Sequence, residues 1–351
     1  MKILHYVDEN RLSWAVPWLQ LLGGLASAGL ENVVVCRPGG TLGDLARSRG
    51  FKVRTFRPLV QSMPALCRGF GEIVDDVLPD LIHTRLSSAA SIGGYWGKKA
   101  GIPVVATVDK YPKGKYYRDV SFLFACSMAV ARHMRQEGFL EQQVAVVHNP
   151  VETSLYRMDT EVRTSLRREK GVAQGERVVL GAGRLVDWKG FDLLVRAFCR
   201  AGVPASSLWI VGDGPEERKI RAEMEKAGGK ASLFPFAKDI RPYLWAADLF
   251  VQPSTEPEGF SLMLLEAMSA GLPVVATEIG GTTDILRNGV EGRSVRPGSE
   301  EELEAALREI LRLSPEAFST MGRRAGDRSV LFSISNVVEI TVDIYKRLKF
   351  L

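Results

Sequence analysis

The chain has 351 residues, 46% apolar and 25% charged, which is too long for one ordinary domain and about right for two. No run of about 18 apolar residues occurs, which excludes a membrane-spanning helix; four scattered cysteines and four scattered histidines exclude a disulfide framework and make a zinc site an unpromising expectation. The net charge of +5 lies in the first half, where residues 1–155 carry 18 Lys/Arg against 13 Asp/Glu while the remainder holds 28 of each, so an anionic partner such as a membrane surface or a phosphorylated acceptor is expected there, with a solvated basic face as the alternative.

The opening residues, MKILHYVDEN, turn polar by Asp8 and lack the apolar core and cleavage site of a secretory signal. The protein is therefore expected in the cytosol or on its inner face. Short β-branched runs then alternate with longer helical stretches, which predicts βα units over a parallel sheet. Strands are expected at 2–7, 32–36, 52–56, 81–83, 103–107, 122–126 and 144–147, with helices at 14–28 and 88–100 among them. Ser13 reads as an N-cap for the first helix. Phe56, Leu59, Val60, Met63, Leu66 and Phe70 recur at near-helical spacing beside Arg54, Arg57 and Arg68. A core helix is the favoured reading, and a segment dipping into anionic lipid is the alternative; Pro58 and Pro64 interrupt either. His83 ends a strand and reads equally as a buried, satisfied histidine or as an acceptor contact. The basic loop 110–118, with Tyr111, Tyr116 and Tyr117, has the make-up to meet a phosphorylated glycolipid.

Residues 149–174 carry Pro150 and the charged stretch RTSLRREKG, which reads as a linker and a short surface helix. The domain boundary is placed near 155–172, giving a first domain of 1–155 and a second of 172–332. The alternation then restarts, with strands expected at 178–182, 207–211, 232–234, 249–252 and 273–276. Helices are expected at 191–201, 216–227, 261–270 and 300–311, and a last one at 333–351.

Two stretches of the second half carry chemistry. In GAGRLVDWKGF a strand runs into Gly181–Gly183, and Arg184 and Lys189 follow at its end. Strand C-termini are where open α/β sheets bind ligands, and two cations there can neutralise a departing diphosphate. In PSTEPEGFSLMLLEAMSAGLPVVATEIGG, Glu258 and Glu266 are eight positions apart. A helix starting near Gly259 would separate them by ~12 Å along its axis and ~80° around it, so they could hold two parts of one extended ligand. The backbone N–H groups of Gly259, Phe260 and Ser261 would then point out of a helix N-terminus, as phosphate binding requires. Taken alone, two such glutamates are more often solvated.

Gly-Arg-Leu…Lys-Gly, Val-Gly-Asp-Gly-Pro and Pro-Ser…Glu-Gly-Phe…Glu-Ala-Met…Gly-Leu-Pro-Val-Val-Ala-Thr…Gly-Gly, in this order, closely resemble the retaining glycosyltransferases of family 4, in particular bacterial lipopolysaccharide-core and cell-surface glycan transferases. The resemblance implies an α/β GT-B fold, two Rossmann-like doubly wound domains facing a central cleft, with the last helix crossing back onto the first. It also implies roles. Arg184 and Lys189, with Gly183 close by, would bind the donor diphosphate. Glu258 and the backbone of Gly259, Phe260 and Ser261 would contact sugar and phosphate, and Glu266 the ribose hydroxyls. The nucleobase would lie near 234–238, at Phe236. Asp109 stands where the family commonly has a sugar-contacting histidine, either lining the site or pairing with Lys110 or Lys113.

The implied reaction is hexosyl transfer with retention, from a UDP-sugar first and a GDP-sugar second, to a glycan or glycolipid hydroxyl. No Asp-x-Asp pair occurs, so no metal and no other cofactor is expected. A sugar-nucleotide epimerase, a phosphorylase and a catalytically silent binding subunit are the rival readings. No aromatic-basic platform for nucleic acid is present.

Overall fold

The computed structural model describes residues 1–10, 15–226 and 228–349. Ser13 and Trp14, expected at the start of the first helix, lie outside the described residues, as do Ala227 and the last two positions. Contacts divide the chain into two compact units, Met1–Pro150 with Phe332–Leu351, and Val151–Leu331.

The first unit runs β1 (Lys2–Val7), α1 (Ala15–Ser27), β2 (Glu31–Cys36), α2 (Thr41–Ser48), β3 (Lys52–Thr55), α3 (Arg68–Val77), β4 (Leu81–Arg85), α4 (Ser87–Ala100), β5 (Val104–Val108), β6 (Phe122–Ala125), α5 (Met128–Gln136) and β7 (Val144–Val146). All seven strands are parallel, in the order β3-β2-β1-β4-β5-β6-β7. Helices cover such a sheet on both faces, so its central strands are near-continuous apolar runs such as Ile3–Val7 and Val33–Cys36. The expected core helix through 56–70 does not form. Pro58 and Pro64 each remove an N–H, and the segment becomes a loop with one short 3-10 turn at Pro64–Leu66. Only Phe56 and Phe70 turn inward, against Tyr6; Leu59, Val60, Met63 and Leu66 are exposed.

The second unit runs α6 (Thr160–Glu169), β8 (Arg177–Ala182), α7 (Phe191–Ala201), β9 (Ser206–Val211), α8 (Glu217–Lys226), β10 (Ala231–Phe234), α9 (Arg241–Ala246), β11 (Leu249–Gln252), α10 (Leu262–Ser269), β12 (Val274–Thr277), α11 (Thr282–Ile285), β13 (Gly292–Val295), α12 (Glu300–Leu311) and α13 (Pro315–Ser329). Its six parallel strands stand in the order β10-β9-β8-β11-β12-β13. The segment read as a linker carries α6, which is tied into this unit. Arg163 and Arg167 both reach the Asp248 carboxylate, at 2.6 and 2.9 Å, and Asp248 also accepts from the Val178 amide at 2.7 Å. The sequence Gly292–Val295 has no apolar run, and the edge strand β13 escapes a pattern reading for that reason.

The chain closes with α14 (Ile334–Lys349), which packs on α1 within the first unit. A Cβ on Gly24 would collide with Val338, so glycine lets the two helices approach. Tyr345 of α14 hydrogen-bonds His83 Nδ1, and Thr107 meets Nε2 at 2.8 Å. Strand order reverses between β1 and β4 in one sheet and between β8 and β11 in the other, the positions where doubly wound sheets bind ligands.

Candidate functional site

In the second unit the loops leaving β8, β11 and β12 meet beyond the strand C-termini. Three glycines set how closely. Gly190 has φ 65°, and a Cβ there would strike the carbonyl of Pro253. On Gly281 a Cβ would strike the carbonyl of Gly259, and the Gly281 amide donates to Glu258 O at 2.9 Å. Gly212 allows the β9 loop to press on the carbonyl of Gly183, whose own amide bonds Val211 O at 3.0 Å. Thr255 N–H to Trp188 O at 2.8 Å completes the weave.

This weave places Lys189 against Glu258. The ammonium lies 2.8 and 2.7 Å from the two carboxylate oxygens, and Ser254 Oγ donates to one of them at 2.5 Å. Each side chain of the pair is only 15% exposed, so each charge is substantially desolvated and answered by the other. Arg184, five residues earlier, is exposed and makes no ion pair among the described residues. The loop thus presents one held cation and one open one.

The helix after the second loop falls within a residue of the expected 261–270, and so starts later than the Gly259 assumed for the glutamate geometry. Ser261 is its N-cap, accepting from the Leu264 amide at 3.3 Å, and α10 begins at Leu262. Glu258, Gly259 and Phe260 therefore belong to the loop, and the helical separation expected for Glu258 and Glu266 does not apply. A serine side chain satisfying a first-turn N–H is a stronger start signal than glycine, which explains the shift. Ser261 Oγ also donates to Gln252 Oε1, so the helix start is fixed to the end of β11. The first-turn amides of Leu262 and Met263 have no i−4 partner within the helix, and a helix N-terminus of this kind favours an anion.

Glu266, inside α10, lies beside the Tyr156 hydroxyl, which favours its ionised form. Desolvation pushes the carboxyl up to about 7; the Tyr156 hydrogen bond works the other way, and the charge of Asp239 adds to the rise. Burial also raises the Tyr156 hydroxyl, with Glu266 reinforcing it. The Tyr156 carbonyl accepts from Trp245 Nε1 at 3.0 Å, which anchors the turn carrying the tyrosine. Phe236 is 66% exposed in the loop after β10. Tyr156, Ser254 and Gln252 were not singled out from the sequence. Ser254 and Gln252 are local to the Glu258 loop and carry no charge to mark them, whereas Tyr156 lies in a distant segment that only the fold brings to Glu266.

In the first unit Asp109 pairs with neither Lys110 nor Lys113. Arg85, from the end of β4, holds it with two bonds of 2.7 and 2.5 Å, and Asn149 joins both, at 3.1 Å to Asp109 and 2.8 Å from Arg85. The strand-end arginine is a better partner because it is fixed by the sheet and offers a planar fork. His83 is satisfied on both ring nitrogens, and burial holds its pKa well below 6.5, with the charges of His5 and Arg85 adding to the shift. Among the described residues no group of three or more His, Cys, Asp or Glu is arranged to hold a metal ion, and no helix is long and apolar enough to cross a membrane.

Residues 18–155 match the family model described as Glycosyltransferase Family 4, and residues 162–326 match that of glycosyl transferases group 1. The lipopolysaccharide core biosynthesis glycosyltransferase LpsE of Rhizobium meliloti is 25% identical over 89% of this chain and 89% of its own length. The lipopolysaccharide glucosyltransferase WaaG of Escherichia coli is 30% identical over 49% of this chain and 48% of its own, and several other curated relatives are likewise matched over about half their length. The crystal structure of HepE from Anabaena in complex with UDP superposes with a TM-score of 0.87 at 23% identity, covering 99% of this chain and 100% of that one.

Proposed function

Because this chain belongs to the family 4 glycosyltransferases and has the two Rossmann-like units of the GT-B fold, we propose that it transfers a hexose from a nucleoside-diphosphate sugar to a hydroxyl of a glycan or glycolipid in lipopolysaccharide or other envelope-polysaccharide synthesis. UDP is the favoured nucleotide and GDP the second. The choice is supported by HepE, solved with UDP and with UDP-glucose, and by the naming of WaaG as a glucosyltransferase. The work is assigned to the cytosol or the cytoplasmic face of a membrane, where sugar nucleotides are available.

The observation that carries the proposal is the clasp of Lys189 on Glu258 beside the open Arg184, at the β8–β11 switch point. In the proposed complex both cations take the diphosphate, and the amides at the start of α10 and of Gly259, Phe260 and Ser261 take its remaining oxygens. Gly183 leaves room for it. Glu258, released in part by Lys189, accepts from sugar hydroxyls, Glu266 from the ribose, and Phe236 covers the base. Within the first unit, Asp109, immobilised by Arg85 and Asn149, is the candidate acceptor for a substrate hydroxyl. Transfer breaks the bond between the anomeric carbon and the diphosphate oxygen. The acceptor oxygen bonds that carbon on the same face, and its proton leaves with the diphosphate. Cationic side chains and a helix terminus do the charge stabilisation, so no divalent ion is required.

The test is a transfer assay with UDP- and GDP-hexoses and glycan or glycolipid acceptors, reading product configuration by NMR. An α-linked donor should give an α-linked product, and a chelator should leave the rate intact. Inverted product or chelator-abolished activity contradicts those parts of the mechanism. Donor consumption without acceptor would identify an epimerase, a phosphate requirement a phosphorylase, and nucleotide binding without turnover a silent subunit.

A further inference from the structure

β11 lies in the middle of the second sheet, between β8 and β12, and its first three residues, Leu249, Phe250 and Val251, are fully buried apolar side chains. The fourth, Gln252, is also buried, at 4% exposure, and breaks that run. Burying an amide costs free energy unless its donor and its acceptor both find partners. Both are used here. Gln252 Oε1 accepts from Ser261 Oγ, nine residues further on, and Gln252 Nε2 donates to Thr282 Oγ1 at 3.4 Å. Ser261 and Thr282 are themselves buried. One side chain thus joins the end of β11 to the N-cap of α10 and to the first residue of α11.

Buried and uncharged, the Gln252 amide offers a ligand neither surface nor charge. What it can set is direction. Ser261 caps α10 by accepting from the Leu264 amide at 3.3 Å, and that bond would form wherever the helix pointed. The second bond, to Gln252, ties the cap to the strand end and so fixes where the amides of Leu262 and Met263 and of the preceding loop are aimed. Through Thr282 the same side chain holds the start of α11, whose N-cap Gly281 donates to Glu258 O at 2.9 Å. A parallel arm steadies the front of the loop. Thr277 Oγ1, at the end of β12, donates to Ser254 O at 2.7 Å, and Ser254 Oγ donates to Glu258 at 2.5 Å. Neutral buried side chains therefore suspend the Glu258 loop from two strand ends. Hydrogen-bond donors stabilise developing charge well only when they are aimed beforehand, which is what such a suspension provides.

We propose that Gln252 is a positioning residue for the donor diphosphate: through Ser261 it aims the amides at the start of α10, and so governs how tightly phosphate oxygens are held without touching them. This rests on the nucleoside-diphosphate reading of the function. A protein that binds UDP and is indifferent to the loss of Gln252 keeps that reading and loses this one.

UDP is titrated calorimetrically into the full-length wild type, Gln252→Met, Ser261→Ala, the double variant of these two, and Ser269→Ala. Uridine, which shares the base and ribose of UDP and lacks its phosphates, is titrated into the same proteins by ligand-observed NMR. Methionine keeps the unbranched shape of glutamine without its amide. Gln252→Met and Ser261→Ala should each weaken UDP by at least about tenfold, as misplacement of a donor by a fraction of an ångström does, and leave uridine unchanged. Both substitutions cut one bond, so the double variant should bind UDP no more weakly than the weaker single. Ser269→Ala, at the far end of α10 where the hydroxyl bonds only Leu265 O, should bind UDP as the wild type does. Should Gln252→Met fail to fold, Ser261→Ala decides by the same comparison of UDP with uridine. Full UDP affinity in either single variant overturns the proposal. So do equal losses for UDP and uridine, which mean a general loosening of the unit, and losses that multiply in the double variant, which mean that Gln252 does not act through Ser261. A wild type that binds neither UDP nor GDP removes the donor reading and this proposal together.

Discussion

Lys189 and Glu258 illustrate why a motif residue must be read with its partner. Each side chain of the pair is largely withdrawn from solvent, and deleting one member leaves the other charge uncompensated. Lys189→Ala is expected to cost at least ~10²-fold in kcat/KM with a UDP-hexose, in line with losing one donor to developing negative charge; a loss under threefold would remove Lys189 from the chemistry. Glu266 makes a second expectation. Its carboxyl is pushed up to about 7 by desolvation, and ribose hydroxyls donate best to the ionised form. UDP-hexose binding should therefore tighten as pH rises from 6 to 8 and level off above. Tyr156→Phe removes a neighbouring hydroxyl that favours ionisation, so its midpoint should move to higher pH in calorimetric titrations. A pH-independent affinity would separate Glu266 from the nucleotide. At this scale the sequence exposed the charged motif residues, because strand ends and Gly-rich turns mark them. It concealed Tyr156 and Asn149, whose roles arise from tertiary proximity, and of its two readings of Asp109 the pairing with Lys110 or Lys113 gives way to Arg85 from the sheet.

Elements were legible where the apolar period was long. The helices 191–201 and 300–311 and the strands 2–7 and 249–252 fall where the pattern puts them. The segment 56–67 did not, since two prolines override the apolar spacing there, and the Gly259 start assumed for the glutamate geometry gave way to the serine cap at 261. Glycines inside elements mark packing instead of turns. Gly24, in mid-helix, is where α14 crosses α1. Gly24→Val should force the helices apart and destabilise the first unit by about 1–3 kcal/mol, as overpacking does, measured by urea unfolding; an unchanged midpoint would mean that the crossing is loose. Gly190→Ala should leave the sheet intact and weaken the Lys189 clasp, because the collision falls on the Pro253 carbonyl.

For the whole molecule, the two units carry opposite pH dependence. His5 is buried and hydrogen-bonded to Asn32, and desolvation lowers it to about 4; His83 is lowered in the same direction. The unfolded chain takes up protons at these histidines below pH 6.5, so the first unit loses stability as pH falls, by roughly 2 kcal/mol at pH 5 for His5. Glu266 is raised, so the folded second unit holds a proton that the unfolded chain releases between 4.5 and about 7. That unit gains stability over the same fall. Hydrogen exchange at pH 5 and 8 should show protection decreasing in the first unit and increasing in the second; parallel changes would contradict the assignment. The two-unit, all-parallel plan was visible in the restart of the alternation after residue 174, because each βα repeat buries its strands on both faces.

The central claim is that the cations of the β8 loop grip a nucleotide diphosphate. Isothermal titration of UDP into the wild type and into Arg184→Ala tests it most directly, since Arg184 is exposed and makes no ion pair among the described residues, so its removal should leave the fold intact. The account predicts binding to the wild type and an affinity at least tenfold weaker in the variant, at equal thermal stability without ligand. Equal affinity in the two proteins, or no UDP binding by the wild type, would contradict it.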